Sequence, residues 1–336
     1  MPPLRPKLSV EDLRDGVLAG NRGILARAIT LVESSKPGDQ ARAADLLAEL
    51  MPHTGKSMRV GITGVPGVGK STFIETLGGH LTGMGRKVAV LAVDPSSAKS
   101  GGSILGDKTR METLSTDANA FIRPSPASGT LGGVASKTRE AILCCEAAGF
   151  DTILVETVGV GQSELVVADM TDFFLVLMLA GAGDGLQGIK RGLMELADML
   201  VVNKADGDME SKANKAAQTY RGALGLLHAN ESTWKPPVLT CSALHNKGVD
   251  AVWNKVQEHH DGAKDDNRLA SKRANQELKW LWSMVNEELH ASLKTHPAMQ
   301  TKVAEIENAV RSGTTAPTRA ARELLSAFYK ELAATD

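Results

Sequence analysis

Residues 61–73 read GITGVPGVGKSTF and place Gly64-x-x-x-x-Gly69-Lys70-Ser71 behind an apolar run and ahead of a helical pattern. Glycines at this spacing let backbone N–H groups turn inward around phosphate oxygens. The lysine then reaches the β- and γ-phosphates, and the hydroxyl that follows suits Mg2+. A dinucleotide fingerprint separates its first two glycines by a single residue, which this stretch does not do. The expectation is a nucleoside-triphosphate loop made of Gly64, Val65, Pro66, Gly67, Val68, Gly69, Lys70, Ser71 and Thr72.

The stretch MLVVNKADGD ends a second apolar run in Asn203-Lys204-x-Asp206. A carboxylate there can accept from the N1–H and N2–H2 edge of guanine. Adenine offers no such pair of donors and would leave the carboxylate unpaired. Lys204 can lay its aliphatic stem over the base, and Asn203 can tie this loop to the phosphate loop. Behind a phosphate loop, the tetrapeptide favours GTP over ATP. A third apolar run ends in TCSAL, residues 240–244, whose Ser242, Ala243 and Leu244 offer backbone N–H groups to the guanine oxygen.

Candidate carboxylates for Mg2+ also stand at run ends. In G proteins the strand after the first switch ends in Asp-x-x-Gly, with the Asp on Mg2+ and the glycine N–H on the γ-phosphate. The same place here reads Glu156-Thr157-Val158-Gly159, a carboxylate one methylene longer. Asp94 ends KVAVLAVDPSS, and Asp107 lies in the glycine-bearing GGSILGDKTRM. Ser71, Asp94, Asp107 and Glu156 form the oxygen-rich set that Mg2+ requires. Lys70, Asp107 and Glu156 are the expected catalytic side chains. Val160, not Gln, follows Gly159. A water-orienting glutamine is therefore missing there, and slow intrinsic hydrolysis is expected. Residues 180–192, AGAGDGLQGIKRG, carry five glycines and the polar handles Asp184, Gln187 and Lys190. A mobile loop on the nucleotide side is expected.

These run ends need strands to position them. MRVGIT, KVAVLAV, AFIR, DTILVE, DFFLVLML, MLVVN and PVLTC are short, β-branched and apolar, with helical patterns between most of them. That alternation predicts an α/β fold with a mainly parallel sheet and helices on both faces, ligands lying beyond the carboxyl ends of the strands. Residues 1–56 read as helical, with Ser9 and Asp12 as a variant capping box, and are expected to cap the core. The nucleotide-binding domain is expected over 57–262. From 263 to 336 the pattern is helical, with apolar stripes and Trp280 and Trp282. A dimerisation arm is favoured there over packing back on the core, because aromatic anchors are enriched at interfaces.

Bulk properties narrow the class further. The 336 residues are 42% hydrophobic and 23% charged, with a net charge of −1. This is no electrostatic footprint for nucleic acid or an anionic membrane. MPPLRPKLSV lacks the apolar core of a signal peptide, and no apolar run approaches a membrane span. Three cysteines, Cys144, Cys145 and Cys241, fit no disulfide framework. Buried thiols in a cytoplasmic protein are expected.

Taken together, GVPGVGKST, LAVDPSS, VETVGVGQSE, AGAGDGLQGIKRG and VNKAD resemble the MeaB/ArgK-type GTPases that chaperone adenosylcobalamin-dependent methylmalonyl-CoA mutase. The likeness covers nearly the whole chain. It implies a homodimer joined through C-terminal helices, binding to the mutase, gating of adenosylcobalamin loading and expulsion of inactivated cofactor. It assigns Gly64 to Thr72 to the phosphates, Asn203 to Asp206 to the base, and Asp94, Asp107 and Glu156 to Mg2+. It also marks 180–192 as an extra switch, with Lys190 a fourth catalytic candidate and the residue signalling between nucleotide and mutase. A nickel-insertion GTPase would need soft or imidazole ligands near the switches, and His259-His260 lies on a distal helix. A small-molecule kinase would have no use for a guanine-reading Asn-Lys-x-Asp. A nucleotide-locked scaffold without turnover is the remaining alternative.

Overall fold

The computed structural model describes residues 7–93, 111–124, 131–157, 163–181, 191–228 and 233–335. The chain divides into two compact units, parted between Gln276 and Glu277. In the first unit, α1 (Val10–Leu18), α2 (Arg22–Val32) and α3 (Pro37–Leu50) precede an alternation of strands and helices. The strands are β1 (Met58–Gly64), β2 (Val88–Val93), β3 (Ala120–Arg123), β4 (Thr152–Thr157), β5 (Phe173–Leu179), β6 (Met199–Asn203) and β7 (Val238–Thr240). Each coincides with a run expected from sequence. Between and after them lie α4 (Lys70–Gly83), α5 (Glu112–Thr116), α6 (Leu131–Ala147), α7 (Ser163–Ala168), α8 (Arg191–Leu196), α9 (Glu210–Leu227), α10 (Val249–Asp265) and α11 (Arg268–Thr295).

The strands form one sheet in the order β3-β2-β4-β1-β5-β6-β7, and every pairing is parallel. Burial on both faces explains the unbroken apolar runs. Along β5, Phe174, Val176 and Met178 enter one core, while Phe173, Leu175 and Leu177 enter the other. The first core also takes Leu13, Val17, Leu25, Ile29 and Leu46 of the N-terminal helices and Cys144 and Cys145 of α6. Those helices thus share the layer that covers one face of the sheet. The Ser9 capping box forms: Asp12 N–H donates to Ser9 Oγ and Ser9 N–H to Asp12 Oδ2, both at 3.0 Å. Burial pushes the Cys144 and Cys241 thiols up to about 12, so they behave as small hydrophobes rather than thiolates.

The amino ends of the central strands are held by a buried charge network. Arg59 on β1 pairs with Glu146 through two bonds of 2.8 and 3.0 Å. Its backbone N–H donates to Asp172 Oδ2 at 2.8 Å. Arg273, near the start of α11, grips both oxygens of Asp172 at 2.8 and 2.7 Å and donates to the carbonyls of Gly55 and Ser57. Burial by itself would raise the Asp172 pKa, but the hydrogen bonds and charge of Arg273, with the Arg59 N–H, outweigh it and hold the carboxyl below its ordinary value.

The second unit, Glu277–Asp336, contains the remainder of α11 with α12 (Pro297–Arg311) and α13 (Pro317–Thr335). Met299, Ile306, Ala320 and Phe328 are buried in it. The rings of His296 and Phe328 meet edge to face at 6.1 Å, and Lys302 pairs with Glu323 at 2.8 Å.

Removing Asp172 leaves the Arg273 fork buried without its anion. Asp172→Ala is expected to cost roughly 3–5 kcal/mol in chemical denaturation at neutral pH. Because its folded pKa is depressed, Asp172 stabilises the fold above the ordinary aspartate value of about 3.9, and that contribution fades as pH falls through the lower folded value. The variant should therefore lose less stability than the parent on acidification. A parallel loss in both would exclude the network as the source.

Candidate functional site

The phosphate loop leaves β1 at Gly64, at the carboxyl end of the sheet. A Cβ at Gly64 would stand 2.5 Å from the Leu177 carbonyl oxygen on β5, so a side chain cannot be accommodated at this exit. Gly69 adopts a φ of 89°, and a Cβ there would lie 3.1 Å from Asn203 Nδ2. Val68, between them, is buried in the core and pins the loop to the sheet. Phe73 N–H donates to Gly69 O at 2.9 Å and opens α4. The N-cap residue, Gly69, has no side chain to cap that helix, so its first N–H groups and dipole face the loop as an anion site.

Lys70 donates from Nζ to Gly64 O at 3.0 Å, which draws its ammonium back over the loop. Burial lowers its pKa, while the negative charges of Glu156 and Glu164 oppose that shift. Glu164 is a buried residue in the first turn of α7. It received no role from sequence, where an acidic residue opening a helix reads as a dipole partner.

Glu156 lies near the end of β4, in register with Ile62 of β1 and Ala92 of β2. The Ser71 hydroxyl meets Glu156 Oε1 at 3.4 Å. Next to it, Thr157 Oγ1 donates to Thr63 Oγ1 at 2.7 Å in a buried contact that sequence did not suggest. The two oxygen donors, a hydroxyl and a carboxylate, fit a hard cation such as Mg2+. Among the described residues no group of three or more His, Cys, Asp or Glu is arranged to hold a metal ion. Asp94, Asp107, Gly159 and Lys190, with Asp184 and Gln187, lie outside the described residues.

The third component comes from β6 and β7. Asn203 is buried at 2% exposure. Its Nδ2 donates to Val68 O at 2.8 Å, and its Oδ1 accepts from Ala243 N–H at 3.1 Å and from the Cys241 thiol at 3.4 Å. Lys204 takes a φ of 59°, and its Cε lies 3.9 Å from the position a Gly69 Cβ would occupy. The next N–H, from Ala205, is fixed on Cys241 O at 2.9 Å. Ser242 donates from Oγ to Asp206 Oδ2 at 2.5 Å. Ser242 and Ala243 are buried, whereas Leu244 is 76% exposed. Gly64–Thr72, Glu156, Asn203–Asp206 and Ser242–Ala243 therefore meet at one end of the sheet through direct contacts.

A parallel sheet with this loop after its central strand, and Asn-Lys-x-Asp locked onto that loop, defines a P-loop GTPase: the chain binds guanine nucleotide and hydrolyses GTP. Its family is shown by sequence. The family described as methylmalonyl Co-A mutase-associated GTPase MeaB matches residues 25–298, and the chain belongs to it. It is similar to the GTPase ArgK of Escherichia coli K12, with 47% identity over 305 residues, 91% of this chain and 92% of that protein. It is also similar to the mouse protein named methylmalonic aciduria type A homolog, mitochondrial, with 46% identity over 329 residues, 95% of this chain and 79% of that one. A crystal structure titled LAO/AO transport system kinase shares 39% identity and a TM-score of 0.76, covering 98% of this chain and 100% of that chain.

Truncating Asn203 would strand the Val68 carbonyl and the Ala243 N–H together. Asn203→Ala is expected to destabilise the fold by about 2–3 kcal/mol and to weaken GDP binding, measured by denaturation and titration calorimetry. A stable variant with parental GDP affinity would show that this amide holds nothing together.

Proposed function

We propose that this GTPase works as a nucleotide-driven chaperone of methylmalonyl-CoA mutase or a close acyl-CoA mutase, gating adenosylcobalamin loading and protecting or reactivating that enzyme. The observation that supports the nucleotide chemistry best is the set of direct contacts joining the phosphate loop, Glu156 and the Asn203–Asp206 loop. Family membership and the mutase-associated name of the family support the partner. Adenosylcobalamin is handled through that partner.

In this reading the loop N–H groups and Lys70 hold the β- and γ-phosphates and stabilise the charge that develops on them during hydrolysis. Lys70 leaves Gly64 O for the phosphates. Ser71 and Glu156, joined by Asp94 and Asp107, would hold Mg2+, which when bound neutralises phosphate charge. The Gly159 N–H senses the γ-phosphate. Asp206 reads the guanine N1–H and N2–H2 edge, and the Ser242 hydroxyl holds its carboxylate in the required rotamer. Lys204 covers the base with its stem. Val160 in the place of a water-orienting glutamine supports slow turnover that the mutase accelerates, with Lys190 carrying the signal.

We also read the chain as a homodimer in a reducing, cytoplasmic setting. The C-terminal unit supports the first point: Leu278, Leu281, Trp282, Leu289 and Tyr329 are exposed there. The three buried, free cysteines support the second. No described helix is long and apolar enough to cross a membrane.

Two measurements test this function. GTP should bind at least about tenfold more tightly than ATP, and Asp206→Ala should erase that preference. Equal parental affinities would refute the assignment of Asp206 to the base. Purified methylmalonyl-CoA mutase should raise the steady-state GTP hydrolysis rate, and Lys190→Ala should abolish the increase. A rate unchanged by the mutase would sink the chaperone reading while leaving the GTPase intact.

A further inference from the structure

Thr76 lies on α4, in the turn that follows Lys70 and Ser71. Its hydroxyl stands 3.0 Å from Thr72 O and 2.8 Å from Ala243 O. A hydroxyl has one hydrogen to give. Thr72 O is four residues back along the helix and already accepts a backbone N–H there, whereas Ala243 O lies in a loop outside any helix. The hydroxyl hydrogen is therefore best used on Ala243 O, to which Asn246 N–H also points at the longer distance of 3.4 Å.

Ala243 is thus gripped from both sides. Its N–H donates to Asn203 Oδ1 at 3.1 Å, and its carbonyl takes the Thr76 hydroxyl. The neighbouring residues are tied down within the same loop: Ser242 N–H donates to Lys247 O at 2.9 Å, and Lys247 N–H returns to Ser242 O at 3.0 Å. A trans peptide sets its N–H opposite its C=O. Holding Ala243 O against α4 therefore fixes the direction of the following N–H, that of exposed Leu244. The helix that carries the phosphate ligands and the loop offered to the base are locked together by one hydroxyl.

We propose that Thr76 is a positioning residue for guanine specificity, setting the Ser242–Leu244 loop against O6 of the base. The inference rests on the reading of that loop as the O6-binding element. Thr76 touches neither phosphate nor base in this role. It acts through the loop, and it makes base discrimination depend on the placement of the phosphate helix.

The test compares GDP with 6-thioguanosine diphosphate, which keeps the N1–H and N2–H2 edge and exchanges only the O6 acceptor for sulfur. The parent should prefer GDP. Thr76→Val keeps shape and removes the hydroxyl, and should lower GDP affinity roughly three- to tenfold with a smaller effect on the thio analogue, so that the ratio shrinks. Thr76→Ser should keep the parental ratio, and Thr76→Ala, which also lacks the hydroxyl, should shrink it as Val does. Equal losses for both nucleotides in Thr76→Val would overturn the positioning role. A parent blind to the O-to-S exchange would overturn the reading of the loop itself, and the inference with it.

Discussion

The buried amide of Asn203 is the contact on which the rest of the site depends. It uses a donor on the phosphate loop through Val68 O and an acceptor on the Ser242–Ala243 loop through Ala243 N–H. A primary amide does both, whereas a carboxylate at this position would face the Val68 carbonyl with no proton to give. The same nitrogen would stand 3.1 Å from a Gly69 Cβ, a tight contact. The last glycine of the phosphate loop and the asparagine of the base loop are therefore one steric and hydrogen-bonding constraint, although 134 positions separate them in the chain, the difference of their residue numbers. Changing either one moves the other.

The two ends of the sheet are built for different tasks. At the amino ends, Glu146 and Asp172 are saturated by Arg59 and Arg273, so charge there is spent on joining strands and on seating the start of α11. At the carboxyl ends, Glu156 meets a serine hydroxyl at 3.4 Å, and Lys70 rests on a carbonyl of its own loop. The Lys70 ammonium can exchange that carbonyl for a ligand at small cost, whereas the Arg273–Asp172 fork cannot open without burying an unpaired charge. Stability and chemistry are thus kept a strand length apart.

What could be read from sequence follows from this division. Strands buried on both faces are continuous apolar runs, so all seven stood out, and a polar residue closing such a run, as Asn203 does, pointed to the functional end. Contacts between distant side chains left no such mark. Thr76 reads as an ordinary exposed-face helix residue until Ala243 is brought to it, and Arg273 as one more charge on an amphipathic helix until Asp172 is found beneath it. Glu164 was hidden for a different reason: an acidic first-turn residue is common enough to need no partner. Asp94, Asp107, Gly159 and Lys190 fall outside the described residues, and their assignments rest on the sequence pattern and the resemblance.

The longer carboxylate at the end of β4 has a geometric reason. Glu156 is in register with Ile62, two residues before the strand β1 ends at Gly64. Its Cα therefore sits back from the rim of the sheet, while Ser71 lies beyond that rim, in the first turn of α4. Thr157 cannot shift to bring it forward, since its hydroxyl is bonded to Thr63 at 2.7 Å inside the core. The glutamate spans the gap to 3.4 Å from Ser71 Oγ. An aspartate on the same backbone is shorter by one C–C bond, about 1.5 Å, which would leave the hydroxyl outside hydrogen-bonding range. From this register of β4 the extra methylene gives the carboxylate its reach to the Ser71 hydroxyl.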